Sequence, residues 1–270
     1  QTIPISVCNG NATFKIKIIG SSSPCAEGTI DILLPSGYVY VGGSATVSAG
    51  TGTVSQVSAT VTTAQLKVTG IPASPDSTVI SYEAYADCSA IGTATTTNSQ
   101  AKYTLTSACM GSYVVTSNTF NTQSAALSFT NITNSNYNGA VGDTYNREIT
   151  ITNNGLGAVS QITLKDISGN GFTITGFSVD NGWSVSNTKT VSGTDTINTF
   201  LLSGPSLSQG QSIRLTENIK IVNKCYLQTR LNAYFGCNGS ICTTNNVSAA
   251  ATVGATVNSS LAAQLKVITT

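Results

Sequence analysis

The stretch ITITNNGLGAVSQITLKD, residues 149–166, shows the pattern that decides the fold. Ile149 and Ile151 alternate with polar neighbours, which is the period of a half-buried β-strand. Asn-Asn-Gly and a few small residues follow, and a second alternating run, QITLKD (161–166), comes after them. This pattern predicts two strands joined by a turn, in a hairpin-like unit.

The composition favours strands throughout the chain. Only 9% of the 270 residues are charged, whereas ordinary soluble domains have about 25%. Ser, Thr, Asn and Gly replace the missing charge; Thr suits strands, while Asn and Gly suit turns. No segment has a convincing helical period. Many short strands separated by turn residues predict an all-β chain of tandem immunoglobulin-like β-sandwiches.

The charge distribution argues against two classes of partner. Twelve basic and eleven acidic residues give a net charge of +1. No basic patch is present that would bind nucleic acid, and the apolar stretches are too short for membrane insertion. The first residue is Gln1 instead of Met, so we expect a mature protein from which a signal peptide has been removed.

Two parts of the chain follow the same plan. Residues 9–37 and 142–171 each contain an alternating strand, a loop rich in Gly, Ser or Asn, and a second strand. Residues 78–88 and 212–225 also correspond, and both end on a cysteine. The offset of about 130–140 residues is the size of a domain, so it does not indicate a solenoid.

We therefore predict four segments. Domain 1 covers 1–109 and domain 2 covers 125–257, and both are β-sandwiches. Residues 110–124 form a linker or a crossing strand. The last segment, 258–270, would begin a further repeat, because its residues 262–270 resemble residues 125–133. The alternative is that two threonine-rich strands are alike by composition alone.

Seven cysteines in a chain without histidine point to disulfides in an oxidising compartment. Their spacing lacks the CxxC pairs of a zinc site. Each disulfide would typically stabilise the fold by about 2–4 kcal/mol. The alternative is a cytosolic protein with inert, buried thiols.

An immunoglobulin-like plan predicts which cysteines meet. Cys8 and Cys25 would lie at opposite ends of one strand, about 20 Å apart, so they should not bond to each other. Seven is an odd number, so one thiol should have no partner within the chain, and we expect this to be Cys225. Its simplest role is that of a small buried hydrophobic residue. The predicted bonds are Cys25–Cys88, Cys8–Cys109 and Cys237–Cys242.

The chain lacks the groups that most catalytic mechanisms need. It has no histidine and no GxSxG turn, and its eleven acids are scattered. No acidic run has the spacing of a calcium loop. Asp143, Asp166 and Asp180 are expected in loops and could bind calcium, although capping of solvated turns is the simpler role. We predict a protein that is not an enzyme and uses no cofactor.

A Lys–Asn isopeptide crosslink is a further candidate for chemistry. Lys15, Lys17 and Glu83 lie on strands that could be neighbours. Alternation places both lysines on the face opposite Phe14, and therefore in solvent. An exposed ion pair is the simpler expectation.

Aromatic side chains could stack on sugars. Trp183 follows Asn-Gly and is the main candidate for a ligand contact, because turns are exposed. Packing in the core is the alternative for it and for the tyrosines. These are Tyr38, Tyr40, Tyr82, Tyr85, Tyr226 and Tyr234.

The order of several motifs resembles the β-sandwich repeat of giant bacterial cell-surface proteins. Residues 149–183 are similar to the family's strand ending in TNNG and the segment after it. TIDILLPSGYVYVG (29–42) matches the family's LPxG through Leu34, Pro35 and Gly37.

Two later motifs continue the resemblance. SLSQGQSIRLTENIKI (206–221) is similar to the family's LxPGxS segment, with Gln209 in place of the proline. RLNAYFGCNGSIC (230–242) resembles a WGCxxxxC signature of adhesins from gliding bacteria, with Phe235 in place of the tryptophan. Together the motifs cover most of both predicted domains.

The resemblance implies an extracellular, cell-surface location and often a very long protein, exported by type IX secretion and in some members active in gliding motility. We therefore expect a structural and adhesive module whose partners are other domains of the same long chain, an external surface or glycan, and the export machinery. One alternative is a carbohydrate-binding module of a secreted enzyme. Another is a subunit of a self-assembling surface lattice.

Overall fold

The structure is a computed structural model, and it describes residues 3–90, 96–133, 139–169, 171–222, 228–237, 240–242 and 251–256. The described residues form strands joined by turns, with one short 3₁₀ helix at Cys88–Ala90. The prediction of an all-β chain of tandem immunoglobulin-like sandwiches with disulfides is confirmed. The chain divides into two compact units.

The first unit extends to Ala125 and includes Leu156–Ala158. Its strands are β1 (Ile3–Ser6), β2 (Ala12–Ile19), β3 (Cys25–Leu33), β4 (Tyr38–Tyr40), β5 (Thr46–Ala49), β6 (Thr53–Ala59), β7 (Thr63–Ile71), β8 (Ser77–Ala86), β9 (Thr96–Ser99), β10 (Lys102–Ser107), β11 (Gly111–Thr116) and β12 (Phe120–Gln123). One sheet has the order β2-β8-β4, with β5 also pairing with β8; the second is β11-β10-β3-β7-β6, and a small third sheet is β1-β12-β9.

The second unit holds Ala126–Gly155 and the described residues from Val159 onward. Its strands are β13 (Leu127–Ile132), β14 (Thr144–Asn153), β15 (Val159–Gly169), β16 (Phe172–Val179), β17 (Ser184–Ser192), β18 (Asp195–Leu207), β19 (Ser212–Ile221), β20 (Gln228–Cys237), β21 (Ser240–Ile241) and β22 (Ala251–Thr256). One sheet is β13-β14-β19-β16, and the other is β17-β18-β15-β20-β21, with β22 also pairing with β20.

The two strands of the 149–166 stretch are β14 and β15, but they do not pair as a hairpin. β14 pairs with β13 and β19, whereas β15 pairs with β18 and β20 in the opposite sheet. The buried Asn153 side chain organises the crossing: its Oδ1 accepts from the amides of Ala126 and Gly155, and its Nδ2 donates to the Leu207 carbonyl. The predicted strands are therefore present, and the hairpin pairing is wrong.

The central strand pairings of the first unit match those of the second, although β14 also pairs with β13, whereas β2 has a partner on one side only within the described residues. β2 pairs with β8 in one sheet while β3 pairs with β7 and β10 in the other, just as β14 pairs with β19 while β15 pairs with β18 and β20. The registers also correspond, because one end of each pairing has Ile19 opposite Ser77 and Thr152 opposite Ser212. Phe14 opposite Tyr82 and Arg147 opposite Glu217 each lie five residues further along. Phe14 and Arg147 therefore occupy equivalent places.

Apolar side chains of the facing sheets fill the interior of each unit. In the first unit Ile30, Ile32 and Leu66 of one sheet and Ile80 of the other are each at most 1% exposed. In the second unit the same role falls to a set drawn from both sheets: Ile149, Ile151, Ile162, Leu164, Phe200, Leu215 and Ile219. Burial of this apolar area is the main favourable term in folding.

Candidate functional site

A disulfide joins Cys25 to Cys109 in the first unit, with 5.9 Å between the Cα atoms. Cys25 begins β3, and Cys109 lies in the turn between β10 and β11. Because β10 pairs with β3 in a register that sets Thr106 opposite Thr29, this turn reaches the start of β3. The bond closes a sequence separation of 84 residues, so it strongly restricts the unfolded chain.

The predicted bonds Cys25–Cys88 and Cys8–Cys109 are therefore wrong. The prediction assumed that Cys25 and Cys88 finish at the same pole of one sandwich. Cys88 follows β8, which belongs to the opposite sheet, whereas β10 is the direct neighbour of β3. The pairing of β3 with its neighbour β10 decides which sulfur bonds Cys25, and not the end of the sandwich at which each cysteine lies.

The other predicted disulfide cysteines are oxidised as well. Cys8, Cys88, Cys237 and Cys242 each take part in a disulfide. The bond between Cys237 and Cys242 stays a prediction, and Cys225 lies outside the described residues.

The second unit contains a buried ion cluster that joins its two sheets. Arg147 on β14 donates from Nε and Nη2 to Oε2 of Glu217 on β19, at 2.8 and 2.6 Å. Its Nη2 also bonds Oδ2 of Asp166 on β15, in the opposite sheet. The hydroxyl of Thr229 on β20 donates to Oδ1 of Asp166. The three charged side chains are at most 1% exposed.

The cluster holds two carboxylates and one guanidinium, which makes its charge balance depend on protonation. Burial raises the pKa of Glu217 to about 7, and the Asp166 carboxylate adds to the rise, while Arg147 opposes it. Burial by itself would lower the pKa of Arg147, but the Glu217 and Asp166 carboxylates outweigh it and raise that pKa above its ordinary value. A protonated Glu217 leaves a neutral cluster, which is the form that a dry interior favours.

The stability of the second unit should therefore fall as pH rises. The pKa of Glu217 is about 7 in the folded chain and near 4.5 in the unfolded one, so the folded state binds more protons between these values. The contribution is fully present below about pH 4.5 and is lost as pH rises through about 7. We expect the loss to be at most about 3 kcal/mol in urea unfolding curves followed by fluorescence of Trp183.

Glu217→Gln is the matched control for this pH dependence, because glutamine imitates the neutral acid at every pH. The difference in free energy of unfolding between wild type and this variant should change between pH 5 and pH 8. A difference that stays constant over that range would show that Glu217 does not titrate there.

The acids proposed for calcium have other roles. Asp143 and Asp180 lie in turns, where their carboxylates accept from the amides of Ala140 and Arg214, each at 2.8 Å. The Asp143 contact caps its own turn, whereas the Asp180 carboxylate binds a backbone amide of the neighbouring strand β19. Asp166 was predicted in a loop, and this is wrong: it lies inside β15 and belongs to the buried ion cluster.

Trp183 was predicted to be exposed, and this is wrong: its side chain is only 7% exposed. Asn181 and Gly182 both have positive φ and form a turn that ends at Trp183. The turn leads from β16 in one sheet to β17 in the other, so the following side chain points into the gap between sheets. Gly204 leaves room for the indole, since a Cβ there would lie 2.4 Å from Cγ of Trp183.

The tyrosines proposed for sugar stacking mostly belong to the core of the first unit. Tyr38, Tyr40 and Tyr82 are at most 5% exposed. The hydroxyls of Tyr82 and Tyr103 lie 2.8 Å apart and connect β8 with β10 across the two sheets. Burial raises the pKa of both phenols above the ordinary value. Tyr85 and Tyr234 are half-buried, and Tyr226 lies outside the described residues.

The two lysines proposed for an isopeptide crosslink are in solvent as expected, but neither forms the expected exposed ion pair within the described residues. Lys15 and Lys17 are exposed on β2. Glu83 on β8 lies opposite Thr13 in register and accepts from the Asn11 amide at 2.8 Å. No crosslink chemistry follows from these contacts.

Sequence reasoning missed Arg147 and Glu217, although strand alternation carried the signal. Arg147 lies two residues before Ile149 and four before Ile151, and Glu217 lies two residues after Leu215 on β19. Even spacing along a strand places side chains on the same face. Both positions are therefore on the inward face of their strands. A charged residue at an inward position is the sign of a buried pair.

The comparisons with known proteins yield only low structural similarity. No protein-family profile and no curated sequence matches the chain. The C-terminal domain of the antigen I/II polypeptide BspA from Streptococcus agalactiae aligns with TM-score 0.41 and 10% identity, covering 95% of each chain.

Two other solved structures show comparable similarity. The C-terminal domain of the antigen I/II-family protein AspA from Streptococcus pyogenes aligns with TM-score 0.40 and 9% identity, covering 95% of this chain and 94% of that one. The collagen-binding domain of the Erysipelothrix rhusiopathiae surface protein RspB aligns with TM-score 0.25 and 10% identity, covering 96% and 94%. These similarities are too low to transfer a function.

Within the residues that the structure describes, no helix combines the length and the apolar character that a bilayer crossing requires.

Proposed function

We propose that this chain is an extracellular structural and adhesive module of a long cell-surface protein, and that it is not an enzyme. The observation that carries the proposal is where its interior polar groups lie. In the second unit Arg147 bonds Glu217 in its own sheet and Asp166 in the opposite sheet. In the first unit the Tyr82 and Tyr103 hydroxyls bond each other across the equivalent gap between sheets. These groups are buried and brace the sandwiches by joining their two sheets.

The disulfide supports a role under mechanical load. The Cys25–Cys109 bond ties β3 to the β10–β11 turn, so a pull on the chain ends bypasses the residues between the two cysteines. Oxidised cysteines are typical of proteins outside the cytoplasm. Within this proposal, the motif order along 149–183 and 206–242 favours a repeat-domain adhesin of the gliding-motility type, exported by type IX secretion.

Adhesion under flow tests this function. Polystyrene beads coated with the oxidised chain should remain on glass at shear that removes beads carrying the reduced and alkylated chain. The expected difference is several-fold in the retained fraction, because only the braced fold bears the load. Equal retention of both bead types would contradict the proposal.

A glycan array separates this function from that of a carbohydrate-binding module. The burial of Trp183, Tyr38 and Tyr82 removes the sugar platform that such a module would need from these side chains. We expect no saturable binding of a particular glycan. Saturable binding to one sugar class would favour the carbohydrate-binding module instead.

A further inference from the structure

The first unit has an open slot between two sheet edges. β2 is the last strand of one sheet and β11 is the last strand of the other, so each pairs on one side only within the described part of the chain. A cavity of about 300 Å³ lies between them, and a second of about 540 Å³ continues along β2. Each strand edge keeps backbone groups that another strand could bond.

The slot is apolar, and its walls are incompletely covered. Ile16 and Leu105 line it and are only half-buried, although they point toward the interior of the sandwich. On the β11 wall, Tyr113 is 59% exposed and Val115 is 56% exposed. Apolar side chains at an uncovered strand edge are unusual, since natural edges are generally protected by charge, bulges or short length.

The rim of the slot is basic. Lys15 and Lys17 lie on the outer face of β2, and no Asp or Glu is among the residues that line either cavity. No ion pair of these two lysines occurs within the described residues. Residues directly opposite on paired strands interact, so an added strand next to β2 would place every second side chain beside this lysine row.

We propose that the slot binds an extended peptide segment as an additional strand, with alternate apolar and acidic residues. The apolar side chains enter the slot beside Ile16, Leu105 and Val115, and the carboxylates face Lys15 and Lys17 on the outer surface. Backbone hydrogen bonds to the strand edge supply affinity, and the alternation supplies specificity. This inference goes beyond the proposed function and does not depend on adhesion.

Nuclear magnetic resonance titration of the oxidised full chain tests the proposal. The probe is an acetylated nine-residue peptide in which valine alternates with threonine and glutamate, and its partner probe has lysine in place of glutamate. We expect the glutamate peptide to shift the amides of β2 and β11, and to leave those of β6, at the opposite edge of the β11 sheet, unchanged. Shifts centred on β6, or no shifts at all, would overturn the proposal.

Charge reversal tests the acidic preference separately. Lys15 and Lys17 are exposed, so Lys15→Glu/Lys17→Glu should fold normally. The double variant should bind the glutamate peptide about three- to tenfold more weakly and should prefer the lysine peptide, as expected for two exposed ion pairs. Unchanged binding of both peptides would overturn the proposal.

A matched pair of valines tests the apolar wall. Val115 on β11 and Val57 on β6 are both 56% exposed, so a lysine is accommodated at either position. Val115→Lys should weaken both peptides at least about threefold, whereas Val57→Lys should change neither. Equal effects of the two substitutions would show that the slot is not the binding surface.

Discussion

Replacement of Arg147 by methionine should lower the free energy of unfolding of the second unit by about 3–5 kcal/mol. The substitution keeps a long side chain in the core but removes the positive charge between Asp166 and Glu217. Two buried carboxylates then face each other without compensation, which is among the most costly arrangements in a protein interior. The measurement is urea unfolding followed by fluorescence of Trp183, the one tryptophan of the chain.

Two comparisons make this result specific. Arg214 also makes two ion pairs, with Glu148 and Asp180, but its side chain is 49% exposed, so Arg214→Met should cost at most about 1 kcal/mol. The triple variant Arg147→Met/Asp166→Leu/Glu217→Leu should recover most of the loss, because an apolar replacement leaves no buried charge. Equal costs for Arg147→Met and Arg214→Met would mean that the buried cluster is not a brace.

Removal of the disulfide by Cys25→Ser/Cys109→Ser should destabilise the first unit by about 4–5 kcal/mol. The bond closes a separation of 84 residues, and the loss of loop-closure entropy in the unfolded chain grows with that separation. Native-state hydrogen exchange of the β3 and β10 amides in low urea measures this loss. The exchange of β14 and β19 amides in the same sample reports on the second unit.

A neighbouring substitution provides the control for the cysteine variant. Ser107→Ala removes a hydroxyl that lies 2.7 Å from Sγ of Cys25 but leaves the disulfide in place, so its cost should be near 1 kcal/mol. Similar losses for Ser107→Ala and the double cysteine variant would contradict the assigned role of the bond.

The strands were predictable from sequence, but their partners were not. Alternation in 149–166 located β14 and β15, because a strand with one buried face has period two whichever strands lie beside it. An asparagine side chain can bond nearby backbone groups, and this makes Asn-Asn-Gly typical of a hairpin turn. The same property lets Asn153 stabilise the longer connection from β14 in one sheet to β15 in the other. The choice between these outcomes depends on contacts with Ala126 and Leu207, which are distant in sequence.

The same limit explains the errors in the candidate site. The cysteine pairing could be predicted only if β10 was known to lie beside β3. The burial of Trp183 could be predicted only if its turn was known to join opposite sheets. The inward position of Arg147 and Glu217 could have been predicted from strand alternation alone. The equivalent pair in the first unit is Phe14 stacked on Tyr82, with ring centroids 5.3 Å apart. One position in a repeated sandwich is thus filled by an aromatic stack in one copy and by an ion pair in the other.

Force spectroscopy on single molecules is the most direct test of the claim that this chain is a braced, load-bearing scaffold. The oxidised chain should unfold in discrete force peaks, and its full extension should be shorter than that of the reduced chain by at least roughly 270 Å, because the residues between Cys25 and Cys109 stay shielded from the pull. Equal extensions for oxidised and reduced chains, or extension without force peaks, would contradict the claim.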